Sequence, residues 1–266
     1  MSAATTPPAP FAEFTVEKLR VSVYDDRAMM GRAAALDVGR AIQARQQDGG
    51  WANVVFAAAP SQNEMLAELV AGTGVAWSRV RAFHMDEYMR VDEDHPVSFR
   101  RYLNEHLFRL VGLTGDRLFL IRGERFERPL AECLAYESLL FAYPTDVVCA
   151  GIGENGHLAF NDPPVADFSD PVYIKVVRLD TPCRTQQVND GCFASIDEVP
   201  SHAYTLTIPA LLSAAVVSVV VPGPRKAEAV LNTLRGPFGE SCPASALRRH
   251  EGARLYLDRD SARLVL

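Results

Sequence analysis

A glycine-rich loop carries the residues whose types and spacing best suit chemistry. Residues 147–150 form a short apolar run, and the loop after them places Glu154, Asn155, His157 and Asp162 within nine positions. Histidine titrates near neutral pH, and a carboxylate or amide bonded to one ring nitrogen determines which nitrogen exchanges protons. The pattern favours a catalytic His157, oriented by Asn155 and Asp162, over a histidine with a structural role only.

Three further segments place polar residues directly after apolar runs. They are Ser61, Gln62 and Asn63 after residues 54–59, Asp86 and Glu87 after residues 80–85, and Arg225 and Lys226 after residues 216–221. The carboxyl ends of parallel strands lie at one edge of a sheet, so these segments are expected to converge on the glycine-rich loop.

Each of these segments also has a simpler interpretation. Asp86 is a candidate base, but a carboxylate after a strand often only caps the next element. Lys226 opens a predicted helix, where backbone N–H groups and the helix dipole attract an anion. A solvated lysine is the alternative, and the same two interpretations apply to Arg178 and Arg184.

Strands and helices are predicted to alternate along the chain. Runs of strand length occur at residues 18–24, 54–59, 80–85, 118–121, 147–150, 172–179, 203–207, 216–221 and 255–257, with helical periodicity between many of them. This alternation predicts an α/β fold, a doubly wound, mainly parallel, Rossmann-like sheet with helices on both faces. Residues 1–14 are predicted to be a flexible tail and residues 15–266 a single domain, since no linker divides them.

The composition argues against several classes of protein. With 48% hydrophobic and 23% charged residues and a formal net charge of −6, the chain resembles an ordinary globular protein and lacks the basic balance of a nucleic-acid binder. Five cysteines without a CxxC pair fit reduced thiols in a cytoplasm. No apolar run has the length of a membrane span, and the histidine spacing indicates no metal site. We expect a cytoplasmic protein with neither a nucleic-acid nor a membrane partner.

Two segments resemble the glucosamine-6-phosphate deaminase family. FHMDEY at residues 83–88, with HPVSF at residues 95–99, resembles the FxMDEY and HPxSY segment of that family. GIGENGHLAFNDP at residues 151–163 resembles its GxGxxGHIAFNEP loop. The related 6-phosphogluconolactonases share the sheet, but they continue GHxAS after the histidine and lack the MDEY segment. The resemblance extends from about residue 54 to about residue 234.

This resemblance implies conversion of glucosamine 6-phosphate to fructose 6-phosphate and ammonia, in amino-sugar catabolism, without a cofactor. The base that moves the C2 proton to C1 falls on Asp86. The histidine that assists ring opening falls on His157, with its orienting groups at Asn155 and Asp162. The implied substrate-binding residues are Ser61, Gln62, Asn63, Glu87, Gly153, Arg184 and Lys226.

The chain departs from the family where the phosphate is expected. A Thr-Gly-Gly-Thr pattern is replaced by SQNE at residues 61–64, so the backbone cradle formed by the two glycines is not expected. Glu64 would repel a phosphate unless it points away along its helix. A phosphate-binding arginine of the family falls near Gln187, and Arg184, one helical turn earlier, is the expected substitute. The family also typically has aspartate at Asn155 and glutamate at Asp162.

Three functions therefore stay open at this point. The first is a glucosamine-6-phosphate deaminase, formally a hydrolase that contains an aldose–ketose isomerisation. The second is a related sugar-phosphate isomerase or a 6-phosphogluconolactonase-like hydrolase, and the third is an inactive sugar-phosphate sensor. Asp86 and His157 favour an enzyme, because binding alone needs neither a base nor a proton shuttle. Family members include monomers and larger assemblies, so a homo-oligomer also stays open.

Overall fold

Strands and helices do alternate through most of the chain. The structure is a computed structural model and describes residues 6–189 and 191–266, without the side chain of Gln186. The strands are β1 Ala12–Val16, β2 Leu19–Tyr24, β3 Ala52–Phe56, β4 Val80–His84, β5 Asp86–Tyr88, β6 Leu118–Phe119, β7 Val147–Ala150, β8 Ile174–Arg178, β9 His202–Leu206, β10 Val216–Val221 and β11 Ala253–Asp258. The helices are α1 Arg27–Gln46, α2 Asn63–Gly72, α3 Phe99–Leu103, α4 Pro129–Ala142, α5 Thr181–Asn189, α6 Ile208–Leu211, α7 Ala227–Arg235 and α8 Arg259–Ala262.

Eight of these strands form a central sheet in the order β1-β2-β11-β10-β7-β3-β4-β6. All neighbours pair in parallel except β1 and β2, which are antiparallel. The predicted α/β fold with a mainly parallel sheet is confirmed. The predicted tail is wrong for residues 12–14, because they lie in β1 and pair with β2. Residues 1–5 of that predicted tail lie outside the described residues.

A second, smaller sheet was not predicted. Strands β5, β9 and β8 form an antiparallel sheet in that order, in which Asp86 of β5 pairs with Thr205 of β9. Residues 86–88 were predicted to lie at the end of the strand at residues 80–85, and residues 203–207 to form a strand of the one predicted sheet. Both segments instead belong to this second sheet, which lies beyond the carboxyl end of β4.

Helices cover both faces of the central sheet, as predicted. Neighbouring residues of β3 point in opposite directions, with Val55 in one buried cluster and Val54 and Phe56 in the other. The first cluster includes Tyr136 of α4, and the second includes Met30 of α1. Strands buried on both faces explain why the sequence shows continuous apolar runs without a polar residue at every second position.

Two of the helices begin at side-chain caps. The Asp26 carboxylate accepts a hydrogen bond from the Met29 N–H at the start of α1, and Ser98 accepts one from the Arg101 N–H at the start of α3. After α3 the backbone continues as a π-helical turn, Asn104–Phe108. No helix within residues 6–189 and 191–266 combines the length and the apolar composition that a membrane crossing requires.

At one point in the strand order, the chain changes the side of the sheet to which it adds new strands. From β3 the chain builds outward through β4 and β6, and from β7, which pairs with the other edge of β3, it builds through β10 and β11. Open α/β sheets bind small molecules in the crevice beyond the carboxyl ends of the strands at such a point. The loops after β3 and β7 are therefore the expected place for a site.

Candidate active site

A cleft of about 300 Å³ opens at this switch point. Its volume falls in the range of pockets that enclose a small ligand. Five of the residues predicted from the sequence line it, and they come from different strand ends: Ser61, Asp86, Gly153, His157 and Lys226. The topology thus brings together residues up to 165 positions apart in the chain, from Ser61 to Lys226.

The loop after β7 holds His157 against a carboxylate. His157 Nδ1 lies 2.8 Å from Asp162 Oδ1, and Asn155 Nδ2 donates to the same carboxylate oxygen at 2.9 Å. The Asn155 side-chain oxygen in turn accepts from the His157 backbone N–H at 3.1 Å. Asn155 and Asp162 do not line the cleft themselves. Their contacts support the predicted orienting role, because they direct Nδ1 inward and leave Nε2 for a ligand.

Burial and hydrogen bonding act on Asp162 in opposite directions. Burial alone would raise its pKa, but the hydrogen bonds from His157 and Asn155 outweigh it and hold the pKa of Asp162 below its ordinary value. Asp162 is therefore an anion at neutral pH. An anion beside Nδ1 favours a protonated Nδ1 and an Nε2 that can exchange protons with the cleft.

Gly153 forms the floor on which the imidazole lies. A Cβ atom at this position would collide with the Cε1 and Nε2 atoms of His157. The backbone N–H of Gly153 also donates to the His157 carbonyl at 2.9 Å, which closes the loop on itself. Close approach of the ring to the backbone thus requires glycine here. Ala159, in the same loop and lining the cleft, takes a left-handed conformation with φ of 51°.

Asp86 reaches the cleft from β5, next to the end of β4. It is only 7% exposed, and burial together with the neighbouring Glu87 carboxylate raises the pKa of Asp86 well above its ordinary value. A carboxylate with a raised pKa is a stronger base than a solvated aspartate. Pairing of β5 with β9 explains the burial, since it places the second sheet over this side chain.

Glu87 was predicted to bind substrate, and the structure contradicts this. Its side chain is fully buried and does not line the cleft. The carboxylate accepts hydrogen bonds from Ser98 Oγ and from the backbone N–H groups of Phe99 and Arg100 at the start of α3. Burial raises the pKa of Glu87 to about 7, although these hydrogen bonds act against the rise. Glu87 therefore anchors α3 behind the cleft.

Only the first residue of the predicted phosphate segment faces the cleft. Ser61 lines it, whereas Gln62 is fully buried and donates to the carbonyl of Ala150 and to Ser61 Oγ. Asn63 accepts a hydrogen bond from the Tyr102 hydroxyl and does not line the cleft. The predicted ligand roles of Gln62 and Asn63 are thus contradicted, and both position the Ser61 turn.

Three comparisons with known proteins agree with this geometry. The family model of glucosamine-6-phosphate isomerases/6-phosphogluconolactonase matches residues 25–173. A glucosamine-6-phosphate deaminase of Listeria innocua serovar 6a is 33% identical over 216 residues, which cover 81% of this chain and 89% of that protein. The chain belongs to the glucosamine-6-phosphate isomerase/6-phosphogluconolactonase family.

Solved structures of this family show the same architecture. A monomeric glucosamine-6-phosphate deaminase superposes with a TM-score of 0.83 at 30% identity, covering 92% of this chain and 99% of that one. The 6-phosphogluconolactonase of Trypanosoma brucei superposes with a TM-score of 0.74 at 18% identity, covering 96% and 100% of the two chains. The second likeness concerns the fold alone.

The family resemblance predicted an arginine for phosphate at Arg184, and the structure contradicts this. The Arg184 guanidinium donates to the backbone carbonyls of Ile196 and Val199 and does not line the cleft. Gln187, one turn later on α5, does line it. The spacing placed both residues near the site, but only the packing of α5 against the turn at residues 196–199 decides which one faces it.

Arg27 is a cleft residue that the sequence analysis missed. Its guanidinium donates to both carboxylate oxygens of Glu64, at 2.9 and 3.0 Å, and to the carbonyl of Pro60. Glu64 therefore points toward α1, and its charge is compensated. The segment Asp25-Asp26-Arg27 resembled an ordinary helix start, and nothing in its local pattern indicated that α1 begins beside the Ser61 turn.

Lys226 lines the cleft next to the start of α7, as predicted. The turn before it begins at Gly223, whose φ of 92° favours glycine and whose N–H donates to both carboxylate oxygens of Asp258. Arg225 forms an ion pair of 3.4 Å with Glu154 of the glycine-rich loop. Lys226, Arg225 and Arg27 thus bring three cationic side chains to the cleft, two of them paired with Glu154 and Glu64, and such groups suit an anionic ligand.

Proposed function

We propose that the protein is a glucosamine-6-phosphate deaminase, which converts glucosamine 6-phosphate and water to fructose 6-phosphate and ammonia. The observation that carries the proposal is the joint placement of Asp86 and His157 in one cleft, one a buried carboxylate of raised pKa and the other an imidazole with an oriented ring. The names of relatives at 30 to 33% identity support this choice of substrate.

Ring opening is the step assigned to His157. The closed sugar must lose the proton of its C1 hydroxyl and gain one on the ring oxygen. An imidazole whose Nδ1 faces the Asp162 carboxylate can accept the first proton on Nε2 and return it to the ring oxygen. Asp162 stabilises the imidazolium that exists between the two transfers, and its lowered pKa keeps it charged.

The proton transfer between C2 and C1 is assigned to Asp86. Its carboxylate removes the C2 proton of the open aldehyde while the C1 oxygen takes a proton from the C2 ammonium group, which gives an enolamine; the carboxyl then returns its proton to C1, which gives a protonated imine at C2. Water then adds to C2 and ammonia leaves, so that the ketone forms. One water is consumed for each ammonia released, which makes the net reaction a hydrolysis. Abstraction beside a carbonyl needs a positioned base, and burial makes Asp86 a stronger one.

The substrate phosphate is assigned to the cationic side of the cleft. Ser61 offers a hydroxyl, and Arg27 and Lys226 offer positively charged groups in the same cleft. A loop with two glycines would bind the phosphate through its backbone N–H groups, but residues 61–64 contain no glycine. We assign the phosphate contacts to these three side chains instead. The phosphorylated amino sugar is then the small-molecule partner. None of the five cysteines, all of which lie within the described residues, forms a disulfide, which supports a cytoplasmic location for the reaction.

The test is an ammonia and fructose 6-phosphate assay with purified protein. We expect both products in equal amounts from glucosamine 6-phosphate, with Asp86→Asn lowering kcat by about 10³-fold and His157→Gln by about 10²-fold, in the range of general acid–base effects. Asp116→Asn, on the exposed turn before β6, is the matched control and should keep full activity.

Two results would contradict the proposal. The first is normal turnover by Asp86→Asn, which would remove this residue as the base. The second is tight binding of sugar phosphates without ammonia release from any of them, which would indicate a sensor. Hydrolysis of 6-phosphogluconolactone without deamination would instead assign the lactonase activity of the more distant relatives.

A further inference from the structure

Cys183 lies beside the histidine–aspartate pair and has no part in the reaction above. It belongs to α5, its side chain is 1% exposed, and it does not line the cleft. Among the described residues, His157, Asp162 and Cys183 form a group in which one ligand atom from each lies within 4.8 Å of the others. His157 and Asp162 are 7% and 1% exposed, so the group is buried except where His157 faces the cleft.

The group has unused capacity to bind a cation. Asp162 Oδ1 is engaged by His157 and Asn155, whereas Asp162 Oδ2 is buried and, within the described residues, has no nitrogen or oxygen donor; the Cys183 thiol is the further group that interacts with this carboxylate. A buried carboxylate oxygen without a nitrogen or oxygen donor is uncommon, since burial without a partner is costly. Asn155 donates a hydrogen bond to Asp162 Oδ1 without being a ligand itself, and hydrogen bonds of this kind orient the ligands of metal sites.

The donor types select for zinc among common ions. A thiolate and an imidazole favour Zn²⁺ over Mg²⁺ or Ca²⁺, and a carboxylate completes a three-residue set with one position left open. In a tetrahedral site, zinc–sulfur and zinc–nitrogen bonds of about 2.3 and 2.0 Å hold the two ligand atoms about 3.5 Å apart. Ligand atoms that already lie within 4.8 Å of one another need to approach by about 1.3 Å at most.

We propose that His157, Asp162 and Cys183 form an inhibitory zinc site. Binding converts the Cys183 thiol to a thiolate and releases its proton to solvent, while the ion takes a ring nitrogen of His157 and an oxygen of Asp162. The ion enters through the cleft, because His157 is the member of the group that lines it. The histidine then cannot exchange protons with a sugar, so zinc stops ring opening; this inhibitory consequence rests on the proposed function.

Metal binding is tested first on the protein without substrate. Metal-free protein is titrated with Co²⁺ as a spectroscopic substitute and dialysed against buffered Zn²⁺. We expect about one equivalent of metal and a thiolate-to-cobalt charge-transfer band, both lost or weakened at least tenfold in Cys183→Ser. Cys133→Ser, on α4, is the matched control and should bind as the unchanged protein does. Cys183→Ala is made in parallel in case a buried serine hydroxyl disturbs folding.

Inhibition is tested second, in the ammonia assay. Zinc should inhibit the unchanged protein and Cys133→Ser, with full recovery on adding a chelator. Cys183→Ser and Cys183→Ala should keep the metal-free rate and resist at least tenfold higher zinc. Equal inhibition of the Cys183 variants, or a cobalt complex without the charge-transfer band, would overturn the proposal. The binding experiment does not use turnover, so it gives its answer even if glucosamine 6-phosphate is not the substrate.

Discussion

At the scale of single residues, two buried aspartates in one site have pKa values displaced in opposite directions. Asp86 is surrounded by apolar groups and a second carboxylate, so burial and Glu87 raise its pKa. Asp162 is also buried, but His157 and Asn155 hold its pKa below the ordinary value. These opposite displacements support the proposed roles, Asp86 as the base and Asp162 as a fixed counter-charge. Because each pKa differs between the folded and the unfolded state, each displacement also makes the free energy of unfolding depend on pH.

We expect Asp86→Asn to make the protein more stable at neutral pH. Because the folded state raises the pKa of Asp86, the folded protein holds a proton that the unfolded chain has already lost, and the free energy of unfolding falls as pH rises. That loss begins near the ordinary value of 3.8 and is complete above the raised pKa. The asparagine variant has no titrating group at this position and so escapes this loss. At pH 8 its melting temperature should exceed that of the unchanged protein, by about 2–4 °C for each kcal/mol gained in the free energy of unfolding.

Asp162→Asn is the matched variant of opposite sign. A lowered pKa means that the Asp162 carboxylate stabilises the fold above the ordinary value, and that this contribution is lost as pH falls through the lowered pKa. Asp162→Asn removes this carboxylate and should therefore lower the melting temperature at pH 8. Melting curves of the two variants between pH 4 and pH 8 measure both effects. A stabilisation by Asp86→Asn that is as large at pH 4 as at pH 8 would contradict a raised pKa at Asp86.

At the scale of elements, α1 and α2 meet at the cleft through one ion pair. Arg27 begins α1, Glu64 lies in the first turn of α2, and the two side chains are 44% and 28% exposed. Such an exposed pair contributes little to stability. Its consequence is electrostatic: Arg27 compensates the carboxylate that would otherwise oppose a phosphate next to the Ser61 turn.

We expect Arg27→Ala to raise KM for glucosamine 6-phosphate about tenfold, which corresponds to about 1.4 kcal/mol. The variant removes one cation and leaves the Glu64 charge uncompensated. In Arg27→Ala/Glu64→Gln that charge is also gone, so KM should recover part of the loss while kcat stays unchanged in both. Steady-state kinetics of the double-mutant cycle, with Glu64→Gln alone as the control, measure this coupling. Additive effects of the two substitutions would contradict it.

The elements that the sequence predicted are those with a strong local pattern. The apolar run of β7, the three glycines after it and His157 needed only adjacent residues, and the structure confirms the resulting loop. Strand β5 was missed because it has three residues, two of them carboxylates, and its burial comes from β9, more than 100 positions later. Strand β1 was missed for a similar reason, since its pairing with β2 gives order to a segment of ordinary tail composition.

Side-chain direction was the second limit of prediction. Asp86 and Glu87 are neighbours with the same chemistry, but β5 directs one into the cleft and the other behind it. Arg184 and Gln187 differ by one helical turn, and contacts to residues 196–199 decide between them. These choices depend on packing between distant segments, which motif spacing does not contain.

At the scale of the whole molecule, the site lies where two sheets meet. The central sheet contributes the loops after β3, β7 and β10, and the antiparallel sheet contributes Asp86 on β5. Chemistry that needs a base from one sheet and a histidine from the other depends on how these sheets are held together. The Phe160 N–H, in the glycine-rich loop, donates to Thr205 Oγ1 on β9 and supplies one such link.

One chain supplies the residues to which the proposed mechanism assigns a role in the cleft, because Asp86, His157, Arg27 and Lys226 all line it. We therefore expect specific activity to stay constant on dilution from about 1 µM to about 1 nM, whatever assembly forms at higher concentration, because mass action would dissociate a weak oligomer over this range. Sedimentation velocity at the same concentrations reports the assembly beside the rate. A loss of specific activity that follows dissociation, and that returns on concentrating the protein, would show that a partner copy completes the site.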